Sequence, residues 1–144
     1  MAATVPASLQ RAMPSIWSRQ SATPSVTVAV DVYHVWWDLG LAEQLQRLGG
    51  HRIAGYHLCD WLADTTDVLL DRGMMGDGVA DLKHIFEAVE GAGYHGYCEV
   101  EIFSANNWSQ RDPNEVLDIC LDASNSSAEA FVISVPLSRP SSPR

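Results

Sequence analysis

The fold is decided by three short apolar runs, namely VTVAVD (residues 26–31), RIAGYH (residues 52–57) and GYCEVE (residues 96–101). Each run ends on a polar residue that can bind a metal, and these residues are Asp31, His57 and Glu101. Ligand chemistry in a parallel α/β sheet lies at the carboxyl ends of the strands. Because Asp, His and Glu are also common ligands of catalytic divalent metals, the pattern predicts a metal site at one edge of a sheet.

Each strand-like run is followed by a segment with helical periodicity. We predict helices at residues 39–48, 79–92 and 112–123, the last with Asp112 as its N-cap and Pro113 as its first residue. Strands that alternate with helices imply right-handed crossovers and a parallel sheet covered by helices on its outer side. The fold class predicted is therefore α/β.

The polar residues at the three strand ends have both a functional and a plain structural interpretation. His34 lies three residues after Asp31, just beyond the strand, and can bond a substrate oxygen, or it can be a solvated histidine. Glu99 and Glu101 share one strand face, so Glu101 can serve as a base, or the strand can be an ordinary edge strand. His57 can equally be a structural histidine at a strand end.

The long connection between residues 60 and 78 contains the glycine-rich stretch DRGMMGDG at residues 71–78. Loops of this length in compact domains tend to be functional. Arg72 is our candidate for binding a substrate oxygen or carboxylate. The alternative is an ordinary loop with Asp77 capping the next helix, and the stretch lacks the spacing of a phosphate-binding P-loop.

Composition excludes several classes of partner. The chain has 144 residues and a formal net charge of -9, and all 18 acidic residues lie between Asp31 and Glu129. This charge repels phosphate backbones and argues against nucleic-acid binding. No run approaches the roughly 20 apolar residues of a membrane span, so we expect no membrane contact. The three cysteines form no CxxC pair, which fits a reducing cytoplasm and thiols buried in apolar runs.

These residues together resemble the xylose isomerase-like barrels, and in particular the sugar phosphate isomerases and epimerases. The resemblance covers residues 26–123 and implies the C-terminal three βα units of a (β/α)8 TIM barrel. Residues 1–25 are then a poorly structured N-terminal segment and residues 124–144 a Ser/Pro-rich tail. The resemblance also implies a divalent metal (Mn, Mg, Co or Zn) and a small sugar substrate.

The same resemblance assigns roles to individual positions. Asp31, His57 and Glu101 match the second, third and fourth metal ligands, His34 matches a substrate-binding histidine, and Glu101 matches one of two acid–base carboxylates. The first metal-binding Glu has no counterpart here. We therefore expect isomerase or epimerase chemistry, through an enediolate, that is incomplete in this chain, with the metal not necessarily bound by it alone.

Two other functions remain open. The chain can be a non-catalytic barrel fragment that associates with itself or with a missing barrel half, since three strands cannot close a barrel. An apurinic endonuclease shares the barrel, but the acidic middle of this chain argues against one.

Overall fold

The computed structural model describes residues 26–131, with side chains as far as residue 126. Its strands and helices are, in chain order, β1 Val28–Asp31, α1 Val32–Val35, α2 Leu41–Leu48, β2 Ile53–Leu58, β3 Asp60–Trp61, β4 Arg72–Gly73, α3 Leu82–Gly91, β5 Cys98–Val100 and α4 Pro113–Phe131. The predicted N-terminal segment, residues 1–25, and most of the predicted tail, residues 132–144, lie outside the described residues.

The main sheet is parallel and has the strand order β1-β2-β5. Asp31 pairs with His57, and His57 pairs in turn with Glu99. The strands therefore end at the same edge, and helices follow each of them along the chain. This arrangement confirms the predicted α/β class and its partial barrel.

The core lies between the sheet and the helices. Val30 and Tyr56 from the strands and Leu45, Ile85 and Val89 from α2 and α3 are almost completely buried. The apolar spacing of both helices explains this burial, because residues three and four apart share a face. The phenol of Tyr56 is far from solvent, so burial raises its pKa.

The predicted helix ends are partly right. Asp112 caps α4 as predicted, with its Oδ1 accepting from the amides of Asn114 and Glu115. The prediction that Asp77 caps α3 is wrong, because the side chain of Asp81 accepts from the His84 amide and the helix begins later. Helix α4 continues beyond residue 123 to Phe131, so the segment predicted to open the tail is helical.

The long connection forms a β-hairpin that the sequence did not predict. β3 and β4 pair antiparallel, with Asp60 opposite Gly73 and Trp61 opposite Arg72. The amide of Arg72 also donates to the Phe103 carbonyl at 3.0 Å, which ties the hairpin to the chain that follows β5. The hairpin therefore lies over the carboxyl edge of the main sheet.

Two cysteines are less buried than the sequence predicted. Cys98 is exposed rather than buried, because β5 is short and lies at the edge of the sheet. Cys120 is only partly buried, in contact with Met74.

Between residues 26 and 131, no helix combines the length and the apolar character needed to cross a membrane.

We expect Leu45→Ala to lower the free energy of unfolding by about 3 kcal/mol, because it leaves a cavity in the core between α2 and the sheet. Urea denaturation followed by tryptophan fluorescence measures the change. Leu39→Ala is the matched control, since Leu39 is fully exposed and its truncation should change stability by less than about 0.5 kcal/mol. Equal effects of the two substitutions would contradict the described core.

Candidate metal centre

Side chains from three consecutive parallel strands meet at one edge of the sheet. One ligand atom from each of Asp31, His57 and Glu101 lies within 4.8 Å of the others. Asp31 is buried, whereas His57 and Glu101 are partly exposed. The structure therefore brings together the three residues that the sequence selected as ligands, in a group that is open on one side.

Asp31 is oriented by the turn that follows it. Helix α1 begins directly after β1, and the Oδ1 atom of Asp31 accepts a hydrogen bond from the Tyr33 amide at 2.9 Å. This N-cap bond fixes the carboxylate and satisfies one amide at the start of the helix. The Oδ2 atom is left to face the centre of the group.

His57 lies between two carboxylates. Its Nδ1 is 3.5 Å from Oε2 of Glu101, and its Nε2 is 3.5 Å from Oε2 of Glu99. A ligating imidazole is commonly oriented by a carboxylate at its other nitrogen. Glu99 is thus placed to orient His57, a role that the sequence analysis missed although it put Glu99 and Glu101 on one strand face.

Glu101 lies directly after β5, and the hydrogen bonding between β5 and β2 extends to it. Its amide donates to the Leu58 carbonyl at 2.9 Å. This bond places the Glu101 side chain beside His57 at the rim of the sheet. The side chain is one-third exposed, so a small molecule at the rim can reach it.

Arg72 is buried among these carboxylates. Its Nη1 lies 3.0 Å from Oδ2 of Asp31 and 3.0 Å from Oε2 of Glu101. The rings of Tyr33 and Phe103 are 4.7 and 4.8 Å from its guanidinium carbon, a cation–π geometry. Arg72, which the sequence analysis selected for substrate binding, therefore forms ion pairs with two of the three candidate metal ligands, Asp31 and Glu101.

His34 stands at the outer edge of the same group. Its Nε2 is 3.8 Å from Oδ2 of Asp31 and 3.5 Å from Nη2 of Arg72. About half of the His34 side chain is exposed. The predicted substrate-binding histidine is thus accessible from solvent and adjacent to both the carboxylate and the guanidinium.

The charges of the group shift the pKa values of two neighbours. Burial by itself lowers the pKa of Arg72, but the carboxylates of Asp31 and Glu101 raise it above its ordinary value. Burial, reinforced by the negative charge of Asp31, raises the pKa of Cys59 to about 12. Cys59 is therefore a protonated thiol at neutral pH.

Asp60 holds the loop around the site in place. It is buried, and its Oδ1 accepts from the amides of Trp61 and Ala80, while its Oδ2 accepts from the Gly76 amide. A Cβ atom at Gly78 would lie 2.2 Å from the Trp61 carbonyl oxygen, so only glycine fits there. These contacts give the glycine-rich stretch a structural role next to the hairpin.

Aromatic rings form one wall beside the site. Tyr33 stacks on Trp61 with ring centroids 4.5 Å apart, and Trp36 and Trp37 each pack within 6 Å of Trp61. Tryptophans just past the ends of strands can line a ligand pocket or simply pack in the core. Tyr33 and Trp61 are buried, so packing accounts for these two.

Comparison with known proteins identifies the family. The family model described as "Xylose isomerase-like TIM barrel" matches residues 16–127. The chain therefore belongs to the xylose isomerase-like TIM barrel family, as its strand-end residues suggested. No curated protein matched the chain.

Solved structures agree on the fold. A crystal structure of a protein from Sinorhizobium meliloti 1021 is 54% identical over 72% of this chain and 38% of its own, with a TM-score of 0.69. IolI protein, crystallised with a zinc atom, is 21% identical over 78% of this chain and 41% of its own, with a TM-score of 0.66. A xylose isomerase domain protein from Alicyclobacillus acidocaldarius is 23% identical over 76% of this chain and 38% of its own, with a TM-score of 0.59. The chain thus spans about two fifths of the length of these relatives.

We expect Asp60→Asn to lower the free energy of unfolding by about 1–3 kcal/mol, since an amide nitrogen would face the Gly76 amide and leave a donor unpaired. Urea denaturation gives the stability, and hydrogen exchange at the Gly76 and Ala80 amides gives the local effect. Asp64→Asn is the control, because Asp64 is exposed. Unchanged exchange at both amides in Asp60→Asn would show that the carboxylate does not hold this loop.

Proposed function

We propose that this chain carries the cation-binding part of a metal-dependent isomerase or epimerase that acts on a small sugar or a related hydroxycarbonyl compound. The observation that supports the proposal is the convergence of Asp31, His57 and Glu101 at the carboxyl ends of three parallel strands. Sites for ligands in barrels of this architecture lie at that edge. The proposed activity needs a complete barrel, to which these three strands would contribute the cation site.

The donor set fits a divalent ion of the first transition series or magnesium. Two carboxylates and one imidazole, with one side open, suit Mn, Mg, Co or Zn and leave room for substrate oxygens. The orientation of His57 by Glu99 is the outer contact that such ligands usually have. The zinc atom bound by IolI protein, which shares the fold, is compatible with this assignment.

The residues of the chain have separable roles in the proposed reaction. A bound divalent ion would polarise neighbouring carbonyl and hydroxyl oxygens. Glu101 is partly exposed at the rim and would take a proton from a substrate carbon to give an enediolate. His34, with its exposed ring, would donate to a substrate oxygen, and Arg72 would balance charge beside it. The carboxylate that returns the proton would come from barrel strands other than these three.

A second function is supported by the open edge of the sheet. Within the described part of the chain, β5 pairs on one side only, with β2. Cys98, Glu99 and Val100 are all exposed, and the adjacent Tyr97 is almost fully so. An exposed strand edge is a template for pairing with another chain. We therefore propose, as the alternative, a fragment that associates through β5 with itself or with another part of a barrel.

We expect the purified chain to bind Mn²⁺ or Zn²⁺, and Asp31→Asn to weaken that binding by about tenfold or more, because one charged ligand is lost. The asparagine can still accept from the Tyr33 amide, so the start of α1 is preserved. Isothermal titration calorimetry measures the affinity. Glu43→Gln, which removes an exposed carboxylate from α2, is the control and should leave the affinity unchanged. Equal affinities of the two variants would rule out the proposed site.

We expect the chain to run as a species heavier than its 15.8 kDa monomer in size-exclusion chromatography with light scattering, because β5 is an open edge. Val100→Lys should shift the population toward monomer by placing a charge on that edge. Val79→Lys is the matched control, since Val79 is equally exposed but lies before α3, away from β5. A monodisperse monomer of the unmodified chain would contradict association through this edge.

A further inference from the structure

We infer that Arg72 sets the metal affinity of the site by competing, through its fixed positive charge, for the carboxylate oxygens that a divalent ion would use. The inference rests on the proposed function, since it concerns the same cation site. Four contacts of Arg72 Nη1 support the inference, with two carboxylate oxygens, one carbonyl oxygen and one thiol sulfur.

The oxygens that face the site are the ones bonded to Arg72. Oδ1 of Asp31 is engaged by the Tyr33 amide, so Oδ2 is the atom left for a ligand, and it lies 3.0 Å from Nη1. Oε2 of Glu101 is the oxygen nearest to Nδ1 of His57, and it also lies 3.0 Å from Nη1. Nη1 of Arg72 therefore bridges the two carboxylates through the same oxygens that a metal ion beside His57 would use.

Arg72 cannot carry its charge away from the site. Its side chain is almost completely buried, its amide donates to the Phe103 carbonyl, and its guanidinium packs against the rings of Tyr33 and Phe103. A divalent ion on the same carboxylates would lie within a few ångströms of this charge. Because repulsion between like charges at that distance is strong in a partly desolvated site, the guanidinium opposes metal binding.

The arginine nevertheless has other acceptors within reach. Nη1 carries two protons, and besides the two carboxylates it lies 3.3 Å from the Glu101 carbonyl oxygen and 3.9 Å from Sγ of Cys59. When an ion takes a carboxylate oxygen, Nη1 keeps the Glu101 carbonyl as an acceptor. Arg72 therefore weakens the affinity of the carboxylates for metal without abolishing it.

The experiment compares Arg72→Met with Arg72→Lys by calorimetric titration with Mn²⁺ and with Zn²⁺. Arg72→Met removes the charge and should bind about tenfold to a hundredfold more tightly than the unmodified chain. Arg72→Lys keeps a charge and should remain within about threefold of the unmodified chain. Arg111→Met is the matched control, because Arg111 also lies over an aromatic ring, that of Trp108, and pairs with a carboxylate away from the site. It should not change the affinity.

A measurement on the unmodified chain covers the case in which Arg72→Met does not fold. In NMR spectra of the chain with ¹⁵N-labelled arginine, the guanidinium protons of Arg72 should be protected from exchange by the two carboxylates. Saturation with Zn²⁺ should shift these signals and speed their exchange. Unchanged Arg72 signals at saturation would overturn the inference.

The outcomes separate the inference from the proposed function. If the unmodified chain binds metal and Arg72→Met binds equally or more weakly, the inference is wrong and the metal site stands. If Arg72→Met and Arg72→Lys tighten binding equally, the charge is not the cause, and the inference is again wrong. If no form of the chain binds either ion, the proposed site itself is wrong.

Discussion

One buried guanidinium holds the carboxyl edge of this sheet together. Arg72 joins Asp31 at the end of β1 to Glu101 beyond β5, and its own strand belongs to the hairpin that covers that edge. Charges taken out of water must be paired, so the three elements can only pack in the register that brings these groups together. A slip of one residue in β1 would turn Asp31 to the opposite face and leave Arg72 with an unmatched charge.

The convergence of Asp31, His57 and Glu101 was predictable because it depends on local rules. Apolar runs of strand length, each followed by a helix, specify parallel strands, and parallel strands end at a common edge. The residues that close the runs must then be neighbours, whatever the details of packing. The cap at Asp112 was predictable for the same reason, since an aspartate before a proline defines the start of a helix within a few residues.

The hairpin and the position of Arg72 were not predictable in that way. Arg72 is 41 residues from Asp31 and 29 from Glu101, and no local pattern links them. β3 and β4 have two residues each, too few for an alternating pattern to show. The start of α3 was misplaced because several aspartates precede the helix, and only tertiary contacts decide that Asp81 caps it while Asp77 does not. Such choices are made by packing and not by propensity.

Binding of a cation and catalysis make different demands on this architecture. The three candidate ligands lie at the ends of adjacent strands, so the pairing of β1, β2 and β5 sets their positions, and Arg72 ties Asp31 to Glu101. Proton transfer on a sugar needs a second acid–base group facing the same substrate carbon, and none of the carboxylates around His57 faces Glu101 across an open space. Glu99 and Glu101 lie at the two nitrogens of the His57 ring, so the imidazole lies between them. The proposed cation site therefore needs only this part of the barrel, whereas the proposed proton transfer needs a second carboxylate from another part.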